Sequence, residues 1–184
     1  MRALFTVATF LGAALLFLVQ PIVARMALPL LGGSPAVWNT CMVFFQVVLL
    51  AGYAYAHLLE RRLRPRVQSA VHVAVLAAGL LFLPIHLSAV FGPKPHGAPV
   101  LWLLGTLAAS IGFPFFALAT TGPLVQRWFH LSGHPEGRDP YFLYAVGNLG
   151  SLAALLAYPL VVEPSLGLSA PCSSWFPPRM DCLS

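Results

Sequence analysis

Polar side chains recur at helical spacing inside apolar stretches of this 184-residue sequence. Asn39, Gln46, Tyr53 and His57 are separated by seven, seven and four residues. At about 100° per residue of α-helix they fall within ~40° of one another. A single helix over this stretch would therefore carry them as one polar stripe, which we expect to face the interior of a helix bundle.

A second set near the C-terminal part repeats the pattern within about 80° of helix surface: Tyr144, Asn148, Ser151 and Tyr158. Polar groups at such positions serve one of two purposes. They line a path or a site for a hydrophilic solute, or they form hydrogen bonds that fix neighbouring helices against each other. We favour helix bridging as the simpler interpretation, and the solute path remains the alternative. Gln20 in the first apolar stretch and Arg25 just after it are further candidates.

Recognisable catalytic and metal-binding patterns do not occur in the sequence. There is no nucleophile elbow, phosphate-binding loop or dinucleotide-binding glycine motif. His130 and His134 have a spacing that suits a metal on a helix, but Gly133 and Pro135 interrupt any helix there. We therefore predict no catalytic residue, no cofactor and no metal site, and the chain alone is not expected to be an enzyme.

The composition explains where these residues must lie. Apolar residues make up 59% of the chain and charged residues 8%, with a mean hydropathy of +0.83. An ordinary soluble domain is about 45–50% apolar and ~25% charged. Five stretches free of Asp, Glu, Lys and Arg are long enough to cross a bilayer as helices. We predict an all-α membrane protein with spans at about 3–24, 37–59, 70–91, 100–125 and 141–162.

The ten Lys and Arg residues lie between these stretches, which is typical of topology signals and not of a nucleic-acid-binding face. If the N terminus is cytoplasmic, seven basic residues lie inside and three outside. The opposite orientation reverses this ratio. The first stretch is too long for a cleaved signal peptide, so we expect it to be retained with the N terminus in the cytoplasm.

Small residues and prolines predict how the helices pack. Gly147 with Ser151, and Gly150 with Ala154, form two pairs that let a neighbouring helix approach closely. Pro114 and Pro123 should bend the fourth span, and the hydroxyl of Thr120 or Thr121 should compensate a carbonyl freed by the bend. We also expect partner helices from an oligomer or from a continuation of the chain.

Several ordered motifs resemble the membrane region of the bacterial fused MFS/spermidine synthase proteins. They are FLVQPIVAR at 17–25, LPLLGGSPAVWNT at 28–40, DPYFLYA at 139–145, NLGS at 148–151, and the later Tyr158-Pro159 and Glu163-Pro164. The resemblance implies a bundle like part of a major-facilitator module in the bacterial inner membrane. It also implies a soluble aminopropyltransferase-like domain in longer relatives, but that domain's nucleotide-binding and acidic catalytic residues do not occur here.

These observations lead to two hypotheses of function. The first is a non-enzymatic membrane module, 1–168, of a spermidine synthase-like fusion protein. The alternative is part of a transporter for a small, polyamine-type solute, with a polar path between helices. Residues 169–184 change in character, with Cys172, Cys182 and three prolines. We expect them to be a poorly ordered, non-native tail of a truncated chain.

Overall fold

A computed structural model describes residues 2–31, 33–82, 99–132 and 141–165. These residues form helices and no strands. The helices are α1 (Arg2–Ala27), α2 (Pro35–Arg62), α3 (Pro65–Leu80), α4 (Pro99–Leu107), α5 (Phe113–Leu131), α6 (Tyr141–Ala157) and the short α7 (Glu163–Ser165). A 3-10 turn, Leu28–Leu31, follows α1, while π-helical segments at Ala108–Gly112 and Tyr158–Val162 join α4 to α5 and α6 to α7.

The all-helical prediction is confirmed, and four helices are long and apolar enough to cross a membrane. They are Arg2–Ala27, Pro35–Arg62, Pro99–Leu131 and Tyr141–Ser165. Each contains one predicted span. The remaining predicted span, 70–91, extends beyond the described residues: α3 covers its first part, and 83–98 lie outside them. The tail at 169–184, with both of its cysteines, also lies outside them.

Contacts between side chains fix the direction of each helix. Phe45 stacks on Phe115, and Glu60 forms an ion pair with Arg127, so α2 and α5 run parallel. Their shared N-terminal end is marked by Val37 of α2, which lines one small pocket together with Leu103 of α4. The chain must therefore return along the bundle between Arg62 and Pro99.

The first part of this return is α3, which runs antiparallel to α5. Gln68 contacts Trp128 near the end of α5, and Phe82 stacks on Phe113 at its start. Helix α1 is also antiparallel to α5, because Phe5 stacks on Phe129.

Helices α1 and α6 form a second parallel pair. The guanidinium of Arg2 lies 4.8 Å from the centre of the Phe142 ring, Phe10 contacts Gly150, and Arg25 pairs with Glu163. The first residue of each pair precedes the second by 138 to 140 positions. A single register is therefore kept along the whole length of both helices.

This arrangement collects the arginines at one end of the bundle. Among the described residues, this end carries Arg2 at the start of α1, Arg127 near the end of α5, and a run at the α2–α3 corner, namely Arg61, Arg62, Arg64 and Arg66. In the same part of the chain the opposite end carries one arginine, Arg25, which is paired with Glu163. The charge asymmetry counted along the sequence is thus a property of the folded bundle.

The apolar core fills the half of the bundle that is remote from these arginines. It combines the last turns of α1, the first half of α2, and α4 with its π segment. Its largest fully buried side chains include Phe45, Leu103, Leu107, Ile111 and Phe115. Burying one such side chain contributes about 1.5–3 kcal/mol in water, but within a bilayer the gain comes mainly from close packing.

Glycines set the closest helix contacts, as the small-residue pairs predict. A Cβ placed on Gly150 would lie 2.5 Å from the carbonyl oxygen of Phe10, and one on Gly52 would lie 2.9 Å from the Cβ of Ala119. The first contact is backbone against glycine. Helices α1 and α6 therefore touch at a distance that any larger residue prevents.

The threonines bond differently from the expectation. The Oγ1 atoms of Thr120 and Thr121 donate to the carbonyl oxygen of Ala117, at 2.8 and 3.2 Å. Pro123 removes the hydrogen bond to the carbonyl of Ala119, four residues earlier, so the threonines do not compensate it. The five-residue π segment Ala108–Gly112 lies just ahead of Pro114, and such segments are one of the usual causes of a local distortion in a helix.

We predict that Gly150→Ala lowers the free energy of unfolding in detergent by about 1–3 kcal/mol, because the new methyl group meets backbone that cannot move aside. The matched control is Gly122→Ala in α5, where a Cβ would meet no atom within 4 Å. There the substitution should stabilise the helix by ~0.5–1 kcal/mol. Equal effects of the two substitutions would contradict a backbone contact at Gly150.

Candidate functional site

A groove opens on the half of the bundle that lacks the apolar core. Its volume is about 720 Å³, and α1, α5 and α6 form its walls, with Tyr53 of α2 at one edge. Its polar lining residues are Thr9, Tyr53, Thr121, Gln126, Tyr144, Asn148 and Ser151. Four of the residues singled out in the sequence are thus brought together here, from two helices that are distant in the chain.

Small residues create this space. Ala8, Gly12 and Ala13 of α1, Gly122 of α5 and Gly147 of α6 all line the groove. Their short side chains let the helix backbones approach while leaving room above them. The groove therefore results from the same small-residue pattern that predicts close helix packing.

The α6 residues supply most of the hydrogen-bonding capacity. Tyr144 and Asn148 are exposed to the groove, and no hydrogen bond to another described residue occupies the Asn148 amide. The Ser151 hydroxyl donates to the carbonyl of Gly147 at 2.9 Å, which leaves its oxygen able to accept. Amide, phenol and hydroxyl groups thus face one space.

The polar stripe of α2 does not pack inside the described bundle, contrary to the expectation from its spacing. Asn39, Gln46, Tyr53 and His57 are all exposed. The buried face of α2 is the opposite one, which includes Cys41, Phe45, Gly52, Ala56 and Leu59. By helical geometry the two faces lie roughly 60–160° apart. Periodicity shows which residues share a face, whereas the large apolar side chains decide which face packs.

A smaller pocket of about 140 Å³ adjoins the groove. It shares Tyr53 and Pro123 with the groove and adds His57, Glu60 and Arg127. The Nε of Arg127 lies 2.8 Å from Oε1 of Glu60, and both side chains are about one-third exposed. The groove therefore leads from uncharged polar groups toward an ion pair at the arginine-rich end.

Arg25 and Gln20 lie outside the groove lining. Arg25 forms an ion pair with Glu163 and also hydrogen bonds with Tyr158, so Tyr158 belongs to this site and not to the groove. The pair joins the end of α1 to α7. Gln20 is half-buried on α1. The pairing of Glu163 with Arg25 could not be predicted, because residues 138 positions apart carry no local signal of contact.

A buried polar cluster between α3 and α5 was also missed. The Nδ1 and Nε2 atoms of His72 lie 3.3 and 3.2 Å from the Oγ1 atoms of Thr120 and Thr121. Nearby, the indole nitrogen of Trp128 donates to Gln68, whose amide nitrogen donates to the carbonyl of Leu63. Gln68 and His72 are four residues apart and thus share a helix face. This spacing is the feature of the sequence that could have indicated a polar cluster.

The chemistry of the groove is set by its lining. Among the described residues, this lining holds hydrogen-bond acceptors and aromatic rings but no carboxylate, cysteine or histidine. Within the described ranges, no group of three His, Cys, Asp or Glu side chains is placed to hold a metal ion. No family model, curated protein or solved structure matches this chain. The arrangement of its own residues is therefore what bears on its function.

We predict that the Arg25–Glu163 pair couples α1 to α7 by about 0.5–1 kcal/mol, a value reduced by solvent screening because roughly a third of each side chain is exposed. A double-mutant cycle of Arg25→Gln, Glu163→Gln and the double variant, measured by unfolding in detergent, would give this energy. If the two single effects simply add, the pair contributes no coupling.

Proposed function

We propose that this chain is a membrane-embedded, non-enzymatic module that holds a small, polyamine-type solute in the groove between α1, α5 and α6. In this proposal it is the membrane region of a spermidine synthase-like fusion protein, to which it delivers or from which it removes solute. The sequence resemblance supports the choice of family, and the groove supports a role beyond anchoring.

The observation that carries the proposal is the convergence of Tyr53, Tyr144, Asn148 and Ser151 on one cavity of about 720 Å³. Polar groups in apolar membrane helices are costly unless they meet protein or water. These side chains surround a space large enough for a small molecule. The cost of placing them in membrane helices is offset only if that space holds water or a polar solute.

A polyamine suits this lining for two reasons. Its ammonium groups donate hydrogen bonds to phenol, amide and hydroxyl oxygens, and they are attracted to the faces of aromatic rings such as Tyr53 and Tyr144. Its methylene chain suits the small apolar residues of the groove floor. The adjoining pocket offers the carboxylate of Glu60 to a second ammonium group.

The orientation of the helices supports a topology for this module. The parallel pairs α1–α6 and α2–α5, with α3 on the return, favour five crossings like part of a major-facilitator bundle. The arginine-rich end favours a cytoplasmic N terminus in a bacterial inner membrane.

Partner helices complete the proposal. Asn39 and Gln46 are exposed on α2, in a helix otherwise suited to lipid. Polar side chains at such positions normally face protein or water. Further transmembrane helices, from another copy or from a longer chain, would cover this stripe.

We predict that the purified protein in detergent binds spermidine and that Asn148→Leu weakens binding about tenfold, the effect of losing one hydrogen bond to a charged group. Isothermal titration calorimetry measures both affinities. The matched control is Asn39→Leu, which makes the same change outside the groove and should alter the affinity by no more than about twofold.

The same variants decide whether binding serves transport. In liposomes, uptake of labelled spermidine that is lost in Asn148→Leu and kept in Asn39→Leu supports a path through the groove. If the folded wild-type protein binds no spermidine, the proposed solute is wrong. Equal losses in both variants would show that the groove does not hold it.

We predict that Arg64→Cys is labelled by a membrane-impermeant maleimide only after cells are permeabilised, whereas Ser34→Cys, at the opposite end, is labelled in intact spheroplasts. Both changes are made in a background with Cys172 and Cys182 replaced by Ser, so that the native cysteines outside the helices do not react. Cys41 is fully buried and therefore does not compete for the label. Labelling of Arg64→Cys in intact spheroplasts would contradict the proposed orientation.

A further inference from the structure

His72 is a titratable group enclosed by the bundle. Only 2% of its surface is exposed, and each ring nitrogen faces a threonine hydroxyl, Nδ1 toward Thr120 and Nε2 toward Thr121. Histidine is the side chain whose charge ordinarily changes between pH 5 and 8. The cluster therefore has to accommodate the imidazole in whichever protonation state it holds.

The geometry suits both states. If both hydroxyls donate to the Ala117 carbonyl, their oxygens accept from both ring N–H groups of an imidazolium. If the ring is neutral with its proton on Nδ1, Thr120 still accepts, and the Thr121 hydroxyl turns to donate to Nε2. The two states differ by one ring proton and the rotation of one hydroxyl.

Thr121 connects this cluster to the groove. Its side chain lines the groove and contacts Nε2 of His72 at the same time, whereas Thr120 contacts His72 but is fully buried. When His72 is protonated, the Thr121 oxygen accepts from the cationic Nε2–H group, which draws electron density away from its remaining lone pair. When His72 is neutral, the Thr121 hydroxyl donates to Nε2 instead, and this donation makes its oxygen a stronger acceptor for an ammonium N–H in the groove.

The other groups around His72 are few. On α5 the Trp128 ring packs edge-on against the His72 ring, with 5.8 Å between the ring centres. On α3, Gln68 lies one helical turn before His72. From α2, Tyr55 joins the apolar cluster that includes Val71 and Trp128. The next charges along α5 and α2 belong to the Arg127–Glu60 pair, and no carboxylate of the described chain hydrogen bonds to His72.

We propose that His72 is a proton-binding site coupled through Thr121 to the groove, so that a proton on His72 and a cationic solute bind in competition. The inference rests on the proposed function and adds a second, exchanged ion to it. Binding of one solute cation releases the ring proton of His72 to the solvent, and protonation of His72 expels the solute. Charge repulsion between the imidazolium and the solute acts in the same direction.

The test is the affinity of the purified full chain for spermidine at pH 5.5 and pH 7.5, with proton release measured in buffers of different ionisation enthalpy. Spermidine carries charged amines at both values. We expect binding about tenfold weaker at pH 5.5, and a pH-independent affinity for His72→Gln, which retains a donor and an acceptor but does not titrate. His57→Gln, at the adjoining pocket, should keep the pH dependence.

A second comparison separates the two threonines and remains available if His72→Gln does not fold. Thr121→Val should abolish the pH dependence, and Thr120→Val, which removes a hydroxyl from the same ring but not from the groove, should preserve it. The inference is overturned if wild-type affinity is the same at both pH values, if His57→Gln abolishes the dependence, or if both valine variants behave alike. In each of these cases spermidine binding itself survives. If wild-type protein binds no spermidine, both the proposed function and this inference fail.

Discussion

The approach of the Phe10 backbone to Gly150 is the contact on which the rest of the arrangement depends. It fixes α6 parallel to α1 in one register, from Arg2 beside Phe142 to Arg25 beside Glu163. Without a hydrophobic driving force between helices in lipid, such close backbone contacts are a main source of association. The third wall of the groove exists because α6 is held at this distance.

The bundle divides its length between two uses. Toward the Arg25 end, large side chains such as Phe45, Phe115 and Ile111 pack against each other in the main core. Toward the arginine-rich end, glycine and alanine on α1, α5 and α6 leave a groove, and polar groups line it. The same helices therefore provide a packed core over one part of their length and an open groove over another.

Much of this organisation could be predicted from the sequence, because long apolar stretches without charged residues indicate helices that can cross a membrane. Four of the predicted spans lie within observed helices, and the pairing of Gly150 with Ala154 correctly marked a close helix contact. The convergence of Tyr144, Asn148 and Ser151 followed from their spacing. The outward direction of Asn39 and Gln46 did not, since it depends on which opposite face finds a partner. The Arg25–Glu163 and His72–Thr121 contacts were out of reach because they join segments far apart in the chain.

The π segment at Ala108–Gly112 changes which side chains of the helix Pro99–Leu131 face each of its neighbours. A π turn contains about one residue more than an α turn, so it advances the side chains by roughly 100° relative to an uninterrupted helix. The helix thus stays in contact with α2 on both sides of the π segment, through Leu103 before it and Phe115 after it, while Thr120 and Thr121 face α3 and α1. The extra residue shifts the phase of the side chains, so that a single helix contributes to the packed core at one end and to the groove at the other.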